Sequence, residues 1–109
     1  MEFEWDESKR TTNITKHGLD FLDVWEAFHN LLLVRKDSRK EYGEDRWQGI
    51  GMIEDQIVVV VFTVRSSDKV RIISLRKANK HERQGYERFR NEKDNFKDPM
   101  EPGPEDERS

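Results

Sequence analysis

A chain of 109 residues with 39% charged residues and no cysteine is one domain with a modest core, and disulfides, thiolate metal sites and cysteine nucleophiles are excluded. The net charge of −3 hides a division: residues 1–64 carry −5, residues 65–93 carry +6 and residues 94–109 carry −4. A basic segment between two acidic ones points to a local anionic partner or to a charged, solvated helix face.

Phe3 and Trp5 alternate with Glu2 and Glu4, which predicts a short strand with one apolar face. Asp6 can cap a helix from Glu7 to about Lys16, and Gly18 suits its left-handed end. Only Ile14 is strongly apolar there, so that helix must pack shallowly. A second helix is expected from about Asp20 to His29, with Phe21, Val24, Trp25 and Phe28 as one apolar stripe. Leu31 to Val34 begins a strand that runs into a charged loop from Arg35 to Glu41 with no apolar anchor. Trp47 to Ile53 forms the next strand; its Gly49-Ile50-Gly51 lacks the third glycine and following helix of a phosphate loop.

Ile57 to Val64 and Val70 to Lys77 are β-branched runs around a polar turn at Ser66–Lys69, an antiparallel hairpin. Asn79 followed by Glu82 is a capping-box pattern that opens a helix to about Lys93, with Tyr86 and Phe89 as its sparse apolar contacts. The order β-α-α-β-β-β-β-α predicts an α+β domain over residues 1–93, its N-terminal helices and its C-terminal helix packed on one face of an antiparallel sheet. Residues 94–109, acidic and with three prolines, are expected to form a disordered tail. The longest apolar run, Ile57 to Phe62, has a strand's length, and no secretory signal opens the chain, so the expected location is cytoplasmic, with no membrane association.

Arg65 closes the first hairpin strand and Arg76-Lys77 the second. Guanidinium groups stay ionised and offer a planar fork to phosphate oxygens, although each arginine also suits an ordinary solvated strand end. With the turn at Ser66–Lys69, Arg65 faces Val70 and Arg76 faces Val59, on the order of 20 Å apart at strand rise. Either a groove spans several nucleotides or only one end is the active centre. His17, in the Lys16-His17-Gly18 corner, is a possible acid or base or a cation stabilised by the helix dipole. Tyr86 could contact a phosphate or base, or anchor its helix to the sheet. Arg46 reads as a local ion pair with Glu44. His17, His29 and His81 show no metal-ligand spacing, and no metal or cofactor is expected.

Taken together, Phe3-x-Trp5-Asp6, Asn13 with Lys16-His17-Gly18, Phe21, Phe28, Tyr42-Gly43-Glu44-x-Arg46, Ile50-Gly51, Arg65, and Arg71-Ile-Ile-Ser-x-Arg76-Lys77-Ala78 with Glu82 and Tyr86 resemble the BrnT toxins. The resemblance implies a RelE-like fold and a metal-independent endoribonuclease that blocks translation by driving the ribose 2′-hydroxyl onto the adjacent phosphate. It also implies a BrnA-type ribbon-helix-helix antitoxin, through which alone the toxin would meet DNA as the complex represses its own operon. It makes Arg65, Arg76, His17 and Tyr86 the expected catalytic residues, and Lys16, Arg46, Lys77 and Arg83 the expected RNA contacts. RelE itself places lysines on a middle strand; Trp47 to Ile53 has none, so only Arg76 or Lys77 and Tyr86 follow that arrangement. The competing reading is a non-catalytic module that binds protein or nucleic acid with the same basic surface.

Overall fold

Five consecutive apolar residues, Val58 to Phe62, are all buried, which requires cover on both faces of the strand that holds them. A computed structural model of the protein describes residues 1–94 and supplies that cover. The rest of the expected acidic tail, residues 95–109, lies outside the described residues. The elements are β1 (Glu2–Glu4), α1 (Glu7–His17), a 3₁₀ turn (Phe21–Asp23) running into α2 (Val24–His29), β2 (Leu33–Lys36), β3 (Trp47–Ile53), β4 (Gln56–Ser66), β5 (Lys69–Lys77) and α3 (Lys80–Asp94). They form one sheet in the order β1-β5-β4-β3-β2.

The α+β architecture is as expected, with two corrections. The sheet is not wholly antiparallel, because β1 pairs with β5 in parallel through Glu2–Lys69, Phe3–Val70 and Glu4–Arg71. The helices do not share one face. Phe21, Val24 and Ala27 pack with Val58, Val60, Phe62, Ile72 and Leu75 on one side. Tyr86 of α3 packs with Ile50, Val59 and Ala78 on the other, flanked by Leu33, Met52, Ile57 and Phe89. Gly51 lets the first of these layers close, since a Cβ there would lie 2.9 Å from the Leu32 side chain and 3.3 Å from that of Ala27.

Local signals acted as their chemistry predicts. Asp6 caps α1 by accepting from the Ser8 N–H, and Gly18 ends it at φ 70° with its N–H donating to Ile14 O. The second helix is tighter at its start than expected, and Trp25 does not belong to its buried stripe: it is 52% exposed, while Ala27 is buried.

The hairpin register matches expectation at one end only. Arg76 pairs with Val59, but Val70 pairs with Val64 rather than Arg65. Irregularities between Val61 and Phe62 and between Val64 and Ser66 leave Ile73 and Arg65 without direct partners. The first of these is a phase correction. Ile72 and Leu75 stand three residues apart, yet both belong to the same buried layer, and the extra residue lets both reach it.

Candidate active site

Arg76 leaves β5 on the α3 side of the sheet, where its cross-strand neighbours are Val59, Ile50 and Leu33. Beside this row runs a second one, Arg35, Gln48, Val61 and Ser74, one residue from each of four strands. Glu82, in the first turn of α3, meets both rows. Arg76 donates to it through Nη1 and Nη2 at 2.8 and 2.9 Å, and the Asn79 N–H donates to Oε1 at 2.9 Å. The Glu82 N–H in turn donates to Asn79 Oδ1 at 2.8 Å, so the expected capping box also aims the arginine. Arg35 Nη2 lies 4.0 Å from the same carboxylate and donates through Nε to Gln48.

Electrostatics follow from this packing. The bidentate Arg76 holds the Glu82 carboxyl down at about 2 against the opposing effect of burial, with the Asn79 N–H and Arg35 assisting. Glu82 raises Arg76 in return, while burial and the nearby charge of Arg39 oppose it. Arg39 is fixed separately: it donates through Nε and Nη2 to Asp37 at 2.8 Å each. Asp37 is buried and is held at about 2, chiefly by Arg39. Three guanidinium groups, Arg35, Arg39 and Arg76, therefore gather on one side of the sheet, with a hollow of about 350 Å³ lined by Arg35, Arg39 and Gln48. A guanidinium has five N–H donors, so Arg76 retains some for a ligand after Glu82 and the Lys77 carbonyl are served.

The other expected site residues are dispersed. Arg65 sits at the opposite end of the hairpin, 3.6 Å from both Glu4 and Glu44. Tyr86 is 1% exposed and its hydroxyl donates to Leu31 O at 2.8 Å, an anchoring geometry. Arg46 pairs with Glu44 at 3.2 Å and lies over the Tyr42 ring at 4.2 Å from its centroid. Arg83 caps the Ala78 carbonyl at 3.1 Å, and Lys77 is exposed at the end of β5. Lys16 and His17 end α1, one turn beyond Asn13. Asn13 is buried and mimics a neighbouring strand, accepting from Leu75 N–H at 3.1 Å and donating to Leu75 O at 2.8 Å beyond the end of β1. It thereby fixes the residue next to Arg76.

Arg35, Arg39, Asp37 and Gln48 were not among the expected site residues. The loop after β2 does have an anchor, but it is the buried Asp37 rather than an apolar side chain. Its signal is the Asp37-x-Arg39 spacing followed by Tyr42, whose hydroxyl also donates to Asp37 at 3.2 Å. Among the described residues no three His, Asp or Glu side chains gather as a metal-binding group, and no helix is long and apolar enough to cross a membrane.

A mixed five-stranded sheet with an oriented arginine cluster defines a protein suited to holding the phosphates of a polyanion. The chain belongs to the BrnT family: residues 5–82 match the family described as the ribonuclease toxin, BrnT, of a type II toxin-antitoxin system. It is similar to the crystal structure of the Brucella abortus ribonuclease toxin BrnT, with a TM-score of 0.60 and 36% identity over 73% of this chain and 99% of that one. No curated protein sequence gives a significant match. Membership in a type II system implies an antitoxin partner.

Proposed function

We propose that this protein is a metal-independent endoribonuclease that blocks translation and is neutralised by a BrnA-type ribbon-helix-helix antitoxin. The observation that carries this reading is Glu82 with Arg76 gripped at 2.8 and 2.9 Å and Arg35 at 4.0 Å, and with the charge of Arg39 near Arg76. In the reaction the ribose 2′-oxygen bonds to phosphorus and the bond to the 5′-oxygen breaks, leaving a 2′,3′-cyclic phosphate and a 5′-hydroxyl. Arg76 stabilises the extra negative charge on the pentacoordinate phosphate, and its fixed orientation means no reorganisation is needed as that charge develops. Arg35 and Arg39 hold the phosphates of the strand. Glu82, held at about 2, is too weak a base for the 2′-hydroxyl near neutral pH and acts by orienting Arg76. The proton passes to water, and water protonates the leaving oxygen.

The antitoxin would cover this same side of the sheet with an acidic segment and so exclude RNA. Incubating the antitoxin-free protein with total RNA in excess chelator should give fragments with cyclic phosphate ends. RNA left intact by well-folded protein, with and without ribosomes, would replace this reading with a binding module that does not cut.

A further inference from the structure

Beyond the arginine cluster, across Asp37, lies a second hollow of about 380 Å³ whose lining includes Tyr42, Arg46, Glu41, Glu44 and Asp45. Its volume is near the lower end for ligand sites, which run from roughly 300 to 1,000 Å³. Lys36, Asp37 and Ser38 line both this hollow and the one between Arg35 and Arg39, so the two adjoin. Three features of the second hollow are unlike those of a phosphate site.

Its centre is a stack rather than a cation fork, because the Arg46 guanidinium lies 4.2 Å from the centroid of the half-buried Tyr42 ring. The ring is also locked. Tyr42 donates to the same oxygen of Asp37 that Arg39 grips, at 3.2 and 2.8 Å, which holds the phenol oxygen and Arg39 Nη2 no more than about 6 Å apart. Finally, the rim carries carboxylates among its cations. Glu44 and Asp45 are engaged by Arg46 and Lys36 at 3.2 and 3.1 Å, and the Glu41 carboxylate can accept hydrogen bonds from a neutral ring edge.

We propose that the Tyr42–Arg46 stack is the recognition site for one nucleobase of the RNA, with guanine preferred, while Arg39 holds a phosphate of the same nucleotide. Bases of unpaired RNA stack on tyrosine rings and on guanidinium planes alike. Guanine presents two neighbouring donors on its Watson–Crick edge, the pattern that a carboxylate accepts with both oxygens. Lys40, its ammonium 5.4 Å from the centroid of the Tyr42 ring, adds a second cation beside the stack. Asp37 thereby couples the two hollows and sets the spacing between base and phosphate. This assignment rests on the ribonuclease reading for its substrate class, and its test does not require cleavage.

The probe is a 2′-O-methylated RNA hexamer that cannot be cut by its own ribose, with one base among abasic residues. Affinity is read by fluorescence anisotropy for guanine, adenine, cytosine, uracil and fully abasic versions. The guanine hexamer should bind on the order of tenfold more tightly than the abasic one, the usual scale of a stacked base. Tyr42→Leu should erase that difference and Tyr42→Phe should keep most of it. Equal binding of guanine and abasic hexamers to the unaltered protein overturns the proposal, whatever the variants do. A preference for uracil or adenine overturns the donor-edge assignment. If base-dependent binding through Tyr42 holds while RNA stays intact in the cleavage assay, the ribonuclease reading fails and this site stands. If RNA is cleaved but the hexamers show no base dependence, this proposal fails alone.

Discussion

At the Arg76 end of the β4–β5 hairpin, the arginine is bound through two nitrogens at 2.8 and 2.9 Å to a carboxylate whose side chain is 9% exposed. At the other end, Arg65 is 43% exposed and reaches Glu4 and Glu44 only at 3.6 Å, too far for hydrogen bonds. Cations are plentiful in both places, since Lys69 and Arg71 also surround Glu4. The difference is preorganisation. A group fixed before the substrate arrives can stabilise a transition state, whereas an exposed pair at a strand end is screened and free to move. The number of arginines in a segment therefore says little about catalysis until their partners are known.

The sharpest way to break this comparison is Arg76→Ala. Cleavage of a model RNA should slow on the order of a hundredfold or more, as on loss of an oxyanion donor. Arg76→Lys should rescue little, because an ammonium cannot replace the two-nitrogen grip on Glu82. Folded Arg76→Ala protein that remains as toxic as the parent would remove Arg76 from the centre.

Acid should act next most strongly, and on the same end. Glu82 has a folded pKa of about 2 against an ordinary 4.5, so its ionised form stabilises the fold. Because the folded value is the lower, the contribution is complete above about 4.5 and is lost as pH falls through about 2. Its size is on the order of 3 kcal/mol at neutral pH. Urea unfolding of the parent and of Glu82→Gln should differ most above pH 5 and converge toward pH 2. A gap that stays constant across this range would mean the Arg76–Glu82 pair is not what holds the two elements together.

Asn13 tests the support behind the site. Its amide takes the place of a strand beside Leu75 and also donates to Leu19 O at 3.0 Å, so Asn13→Ala removes the partner of one N–H and two C=O groups, at a cost of about 2 kcal/mol in unfolding free energy. Asn13→Asp would restore only the acceptor and should recover only part of the loss. Denaturant midpoints of the three proteins decide it, and equal midpoints would show that water replaces the amide.

What the sequence showed and what it concealed divide along similar physical lines. Features set by near neighbours were legible: the Asp6 cap, the Gly18 terminus and the Asn79–Glu82 box all formed as expected. The unbroken apolar run from Val58 to Phe62 also requires cover on both sheet faces, a demand that helices on one face alone do not meet. Non-local pairing was hidden. Nothing near Arg76 in the sequence shows that Arg35 and Arg39, about forty residues earlier, approach it, because the approach depends on the strand order β5-β4-β3-β2. Tyr86 was legible as an aromatic on the last helix, but only the packing shows that its hydroxyl serves Leu31.

The smallest effect is expected from Arg65→Ala, and it is the most instructive for that reason. Glu4 retains Arg71 at 3.0 Å and Glu44 retains Arg46 at 3.2 Å, so neither carboxylate loses its closest cation. The removed charge is exposed and its attraction decays within about 8 Å at physiological salt. Arg65 and Arg76 stay on the order of 20 Å apart, because Arg76 pairs with Val59, six residues before Arg65 on β4. Cleavage of a dinucleotide should therefore be unchanged within about twofold, well below the 1 kcal/mol that bounds most exposed ion pairs. A long RNA could still touch Arg65 while it is cut at Arg76, and that contact would appear as a higher KM with kcat preserved. Comparing the dinucleotide with a longer RNA of the same cut site separates the two cases. A large fall in kcat on the dinucleotide would move the active centre to the Arg65 end and undo the argument from preorganisation.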